Sequence, residues 1–401
     1  MTGAGSTLTI TNARVQSNLG NQFGGGLYLA DVTTSLIDAE IINNDVSGSG
    51  GGVFQDSGTL TMDGDSLISG NDALAGPGGG FYLNANTTTT ISGTVSNNTS
   101  TSSGGGIMHD GNTLTIDGGT ISGNGALATG GGIRVGDNRV ASVINGSLID
   151  GNMAGAQGGG ICISDIGGTL TVADSTISGN VADFNNDNDG NGGGINNLGA
   201  GAVNITNTTI AGNMAVDGGG IYNDDEGGSS GNLTLATVAV SNNMAKRSGG
   251  GLFQRSAVGT VTLTDVNFDG NTANGMAATN GGGGIYNDGF ALNLGGSVSV
   301  TNNAATAGSG SGGGIFNNTG GTLTVTGATV TGNTANRAGG GIEDRSGVGL
   351  GISLTNVTLS FNKALTGPGN GGGLHVTGAG DVSLSGGTVS GNTASSEEIG
   401  R

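Results

Sequence analysis

Four aspartates, Asp56, Asp110, Asp224 and Asp288, each lie three residues beyond an apolar residue that follows a glycine triplet. With His109 and Arg255 close by in sequence, they are the groups that acid–base cleavage of a glycan would use, because that reaction needs two carboxylates at short range. The four fall on repeats that are not neighbours, so no carboxylate pair forms at this position. No catalytic residue is assigned. A nucleophile elbow, a zinc motif and a phosphate loop are all missing from the sequence, and Gly-x-Gly-x-x-Gly matches mean nothing among 91 glycines.

A second constellation is suited to a metal. Asn185, Asp187, Asp189 and Gly190 match the opening of a calcium loop, Asp/Asn-x-Asp-x-Asp-Gly, which puts oxygen ligands on alternate residues. The glutamate expected at the twelfth loop position is replaced by Asn196. Asp224, Asp225 and Glu226 leave the equivalent strand of the next repeat and are expected to approach the loop. Asn185, Asp187, Asp189, Asp224 and Asp225 are thus the candidate calcium ligands, set against the simpler reading of a solvated acidic turn. No other cofactor is implied.

The elements that position these residues repeat with a period of about 26 residues, stretched in places to 30–34. Thirteen glycine triplets precede an apolar residue, from Leu27 to Leu374. A second anchor precedes each triplet: Asn71, Asn98, Asn124, Asn152, Asn180, Asn213, Asn243, Asn271, Asn303, Asn333 and Asn362, with Asn18, Asn44 and Asn392 completing the series. An apolar residue stands three positions before every one of these asparagines. Between the anchors runs an apolar-x-apolar alternation such as Leu114/Ile116 and Leu323/Val325, which is the period of a strand. No apolar stripe has helical spacing, and each glycine would cost a helix about 1 kcal/mol.

Short strands divided by Gly/Asn/Asp/Ser turns and repeated in register predict an all-β fold, a right-handed parallel β-helix with three short strands per coil. The chain 1–401 reads as one solenoid, on the order of 60 Å long at about 4.8 Å per coil, without polar caps at either end. The stacked asparagines are expected to form an amide ladder.

Alternation assigns two further columns. The residue second after each triplet should point outward, and seven of the thirteen aromatic residues fall there: Tyr28, Phe54, Tyr82, Tyr222, Phe253, Tyr286 and Phe316. They are the candidate interaction stripe for sugar rings or a neighbouring copy, with cross-coil stacking as the purely structural alternative. The residue third after the triplet should point inward, with amides from Asn197 to Asn317 as an internal ladder. A Thr-x-Thr column, for example Thr59/Thr61 and Thr113/Thr115, raises ice binding as a remote alternative. Half of the fourteen coils break that column, and threonine is ordinary on strands.

A net charge of −19 with only two lysines, Lys246 and Lys363, excludes nucleic acid as a partner and disfavours a polyanion. Cys162 is the single cysteine, so no internal disulfide forms. No apolar run is long enough to cross a membrane as a helix.

Gly-Gly-Gly-Ile paired with Ile-Ser-Gly-Asn, and the strict Phe268-Asp269-Gly270-Asn271, resemble the repeats of polymorphic outer-membrane proteins and autotransporter adhesins. The resemblance implies a prokaryotic protein, secreted or displayed on the cell surface, serving adhesion or envelope structure. This chain departs in its third glycine, where the family usually has alanine, and in lacking a C-terminal membrane barrel. The expected function is a non-catalytic extracellular rod that adheres to a glycan or cell surface, or associates with itself end to end or side by side. A polysaccharide-binding or polysaccharide-degrading β-helix is the alternative.

Overall fold

A three-residue apolar strand cannot bury itself; it needs an equivalent strand above and below, and the repeat supplies one. A computed structural model describes residues 2–163, 166–199, 201–224, 231–255, 259–347, 350–366, 370–377 and 380–395. All regular structure among them is β-strand. The chain divides into two compact units, Met1–Asn204 and Ile205–Arg401, both built as parallel β-solenoids.

One coil of the first unit represents its neighbours. Ile107–His109 follows the glycine triplet, Thr113–Asp117 and Thr120–Ser122 come after successive turns, and the two-residue strand Gly125–Ala126 follows Asn124. The next coil repeats them, in parallel, as Ile133–Val135, Val140–Ile144, Leu148–Asp150 and Met153–Ala154. The three expected strands are present, and the pair after the asparagine adds a fourth short one. Ile107 lies on Ile133, Leu114 on Ala141, Ile121 on Ile149 and Ala126 on Ala154. All of these are buried. Each fully buried Ile or Leu stabilises the coil by about 1.5–3 kcal/mol. The second unit follows the same rule, with Ile285 on Ile315, Leu292 on Leu323 and Val300 on Val330.

The glycine triplets answer two different demands. Gly104 has φ +66°, a left-handed conformation that favours glycine. Gly105 and Gly106 are forced by space. A Cβ on Gly105 would sit 2.5 Å from the Gly131 carbonyl oxygen, and one on Gly106 would sit 2.7 Å from that of Gly132 and 3.0 Å from the Asn124 amide. The third glycine is thus dictated by the backbone of the next coil and, after it, by the asparagine beside it.

That asparagine belongs to the expected ladder. From Asn18 to Asn180 each Nδ2 donates to the Oδ1 of the next asparagine at 2.8–3.0 Å. The backbone N–H of Asn98 donates to the same acceptor as its side chain, Asn124 Oδ1, at 3.0 Å. The remaining amide hydrogen of Asn124 reaches the Val95 carbonyl at 3.0 Å. The series from Asn213 to Asn392 repeats the pattern at 2.9–3.0 Å. Such satisfaction is what permits an amide to be buried.

Candidate functional site

Register places the outward residues of the triplet strands above one another, and the aromatic members stack. In the first unit Tyr28 and Phe54 are 5.5 Å apart at 11°, and Phe54 and Tyr82 are 4.9 Å apart at 2°. Phe23 lies across them, tilted by 44° and 4.5 Å from Phe54. In the second unit Tyr222, Phe253, Tyr286 and Phe316 stack at 4.9–5.0 Å.

The expectation of a seven-ring exposed stripe fails in five places. Phe54, Tyr222, Phe253, Tyr286 and Phe316 are at most 6% exposed. Parallel rings at this distance cover one another's faces, so only edges remain for solvent. In the second unit most of the edge area is covered as well. Tyr286 donates its hydroxyl to the Thr279 carbonyl at 2.9 Å, and Arg345 holds the adjacent Ala278 carbonyl at 3.0 Å. Tyr222 donates to Asp224 at 2.9 Å. Burial, followed by nearby carboxylates, pushes the Tyr222 and Tyr286 phenols far above their ordinary value. Tyr28, at 38% exposure, and the half-buried Tyr82 keep an open edge, joined by Phe23 at 49%.

The rest of the outward column is mixed, with Met108 beside polar and charged residues. Cys162 is buried. Glu343 is fully buried and accepts from Arg337 at 2.9 Å and from His375 at 2.7 Å. Desolvation raises the Glu343 pKa, and His375 and Arg337 oppose it.

The inward column is buried as expected. Asn223 donates to Gln254 at 2.7 Å, Asn287 to Asn317 at 2.8 Å, and Asn317 to Asp344 at 2.8 Å. His109 belongs here: its Nε2 lies 3.0 Å from the Val140 carbonyl, and desolvation pushes its pKa down to about 4. It is a neutral interior imidazole, closed to any substrate.

The four recurring aspartates are each engaged by a neighbour. Asp56 accepts from Asn84 at 2.7 Å, Asp110 from the Tyr82 hydroxyl at 2.9 Å, and Asp288 from Asn318 at 2.7 Å. Asp224 accepts from Tyr222. Desolvation and the Asp110 charge push the Tyr82 phenol up to about 12.

Among the described residues the candidate calcium ligands do not converge. Asn185 donates to Asp187 at 2.8 Å, the Asp189 N–H donates to Asp187 at 3.1 Å, and the Asn188 N–H donates to Asp183 at 3.0 Å. Asp183 and Asp187 spend their carboxylates on the loop's own amides. Asp224 is committed to Tyr222, and Asp225 lies outside the described residues. Among the described residues no three His, Cys, Asp or Glu side chains gather to hold a metal. Among them there is no helix long and apolar enough to cross a membrane.

Sequence reasoning missed two charged cavities beside the aromatic columns. In the first unit Met108, Asp110, Arg134, Gly136, Asp137 and Arg139 line about 280 Å³. In the second, Asp217, Arg247, Arg255 and Asp288 line about 270 Å³ with the edges of Phe253 and Tyr286. Their signal is residues of opposite charge one repeat apart, which a column-by-column reading passes over.

A family described as the right-handed β-helix region matches residues 1–177, and the Chlamydia polymorphic membrane protein repeat matches residues 265–288. The second match spans the strict Phe268-Asp269-Gly270-Asn271 and the triplet strand ending at Asn287. Neither a curated protein nor a solved structure matches the chain. By its coils and its repeat motif, the chain is a right-handed parallel β-helix repeat protein, similar over residues 265–288 to the polymorphic membrane protein repeat.

Proposed function

We propose that the chain is a non-catalytic, surface-displayed adhesive scaffold on the outside of a bacterial cell. The observation that carries this reading is the open edge of the first-unit column. Phe23 and Tyr28 present apolar ring surface to solvent beside a parallel sheet, and clustered exposed rings are a liability unless a partner covers them. The likeness to polymorphic membrane protein repeats supports a surface role. The candidate catalytic carboxylates supply no free pair on the triplet strands, which supports binding without turnover. Association of copies side by side through the same edge belongs to this reading. Ice binding has no such support, because the threonine column is interrupted in half of its coils.

The test is adhesion of the purified chain to cells and to immobilised glycans. Replacing Phe23 and Tyr28 together by Ala should weaken adhesion about tenfold, the loss of roughly 1.4 kcal/mol of contact. Unchanged adhesion in that variant would refute the ring edge as the contact surface. Sedimentation velocity over a wide concentration range reads self-association separately.

A further inference from the structure

We propose that the first-unit cavity is a binding subsite for one neutral hexose unit of a glycan, taking its hydroxyls on Asp110, Asp137, Arg134 and Arg139. The inference rests on the adhesive reading and names its ligand class. At about 280 Å³ the cavity is slightly below the roughly 300–1,000 Å³ of sites for drug-sized ligands, which suits a single sugar ring.

Charge selects the class. Two carboxylates and two guanidinium groups sum to zero, so an anion or a cation would face repulsion from half of the charged wall. A sugar hydroxyl both donates and accepts; carboxylates accept and guanidinium groups donate, so vicinal hydroxyls satisfy both kinds of group.

Asp110 already accepts from Tyr82, and the other three groups are little used. Arg134 Nη1 reaches only the Val135 carbonyl at 3.4 Å and the Cys162 sulfur at 3.5 Å. Asp137 and Arg139 form no ion pair among the described residues. The second-unit cavity shows the same charge set used internally: Arg247 pairs with Asp217, and Arg255 with Asp288 at 3.6 Å.

Two contacts fix the carboxylate in advance. The Tyr82 hydroxyl donates to Asp110 at 2.9 Å, and Gly136 leaves room for it, since a Cβ there would fall 2.1 Å from Asp110 Oδ1. Tyr82 is also the last ring of its column; Met108 follows it in register and supplies the apolar part of the cavity wall, where sugar C–H groups can rest.

The experiment is saturation-transfer NMR and titration calorimetry on the full chain, with the methyl glycosides of glucose, galactose and mannose, a galacturonate trisaccharide and free lysine as probes. At least one neutral glycoside should bind, with affinity falling tenfold or more in R139Q and in G136A and holding in R255Q. R139Q changes only a half-buried side chain at the rim, so its thermal melt should match the parent. The proposal is overturned if no neutral glycoside binds, if R139Q and G136A bind as the parent does, or if the uronate or lysine binds in preference. The two readings separate cleanly. Cell adhesion that survives R139Q and G136A alongside absent glycoside binding sinks the subsite and leaves the adhesive scaffold. Glycoside binding lost in R139Q supports the subsite even where the Phe23 and Tyr28 replacements leave adhesion untouched.

Discussion

In the first unit Tyr28, Phe54 and Tyr82 stack at 4.9–5.5 Å with Phe23 half-exposed across them, whereas in the second Tyr222, Phe253, Tyr286 and Phe316 stack at 4.9–5.0 Å and are at most 6% exposed. The stacking itself is common to both, because register alone puts each ring above the next. What differs is the material beyond the ring edges. The longer second-unit repeats bring Ala278 and Thr279 over the column, fastened by Arg345 and Tyr286. The charges there are tied off in ion pairs, while Asp137 and Arg139 beside the first-unit cavity form none among the described residues. Coil geometry therefore sets which side chains meet, and the length of the turns between coils sets which of them a partner can reach.

The comparison breaks most visibly on ring removal. Phe316→Ala should cost about 3–5 kcal/mol, the usual penalty for an aromatic cavity in a packed site. Phe23→Ala should cost about 1 kcal/mol or less, since only part of that ring is buried. Chemical denaturation followed by hydrogen exchange in each unit would read both, and equal costs would erase the distinction.

Next comes pH, where the units should respond with opposite sign. His109 is held at about 4 by burial against an ordinary 6.5. The unfolded chain binds that proton more tightly, so the first unit loses stability as pH falls from about 6.5 to 4, by roughly 3 kcal/mol. His109→Gln should flatten that slope. In the second unit desolvation raises both Asp217 and Glu343. A raised carboxylate is better protonated in the folded state, so its contribution is lost as pH rises from the ordinary carboxylate value to the folded one. Glu343→Gln should remove part of that loss, read by exchange rates between pH 4 and 7.

The smallest expected effect concerns the turn that sets register. Phe361 sits just before Asn362 at φ +54°, where Gly123 and Gly270 occupy the equivalent place in other coils. Phe361 is 64% exposed, so it recovers little by burial. Phe361→Gly should stabilise the second unit by about 0.5–1 kcal/mol, the left-handed strain relieved less the added chain entropy. A lowered melting temperature would show that the ring has an unseen contact.

Much of this was legible in the sequence for a physical reason. In a stacked coil a residue meets its equivalent one repeat away, so Asn124 on Asn152 and Ile107 on Ile133 follow from spacing alone. The inward column, His109 included, follows from alternation. Exposure did not follow, because it depends on where inserted residues such as Thr279 fold back. The cavity was hidden for the same reason: Asp137 and Arg139 sit in a turn, outside every repeated column. Asn185 and Asp187 misled because a ligand-like pattern serves equally well to cap a loop's own amides.

The central claim is that one aromatic column keeps an open edge at Phe23 and Tyr28 and the other is buried. Hydroxyl-radical footprinting of the intact chain, read residue by residue by mass spectrometry, tests it most directly. Phe23 and Tyr28 should be oxidised at least about tenfold faster than Phe253 and Phe316, as expected for open against sealed rings. Equal rates in the two columns would contradict the account.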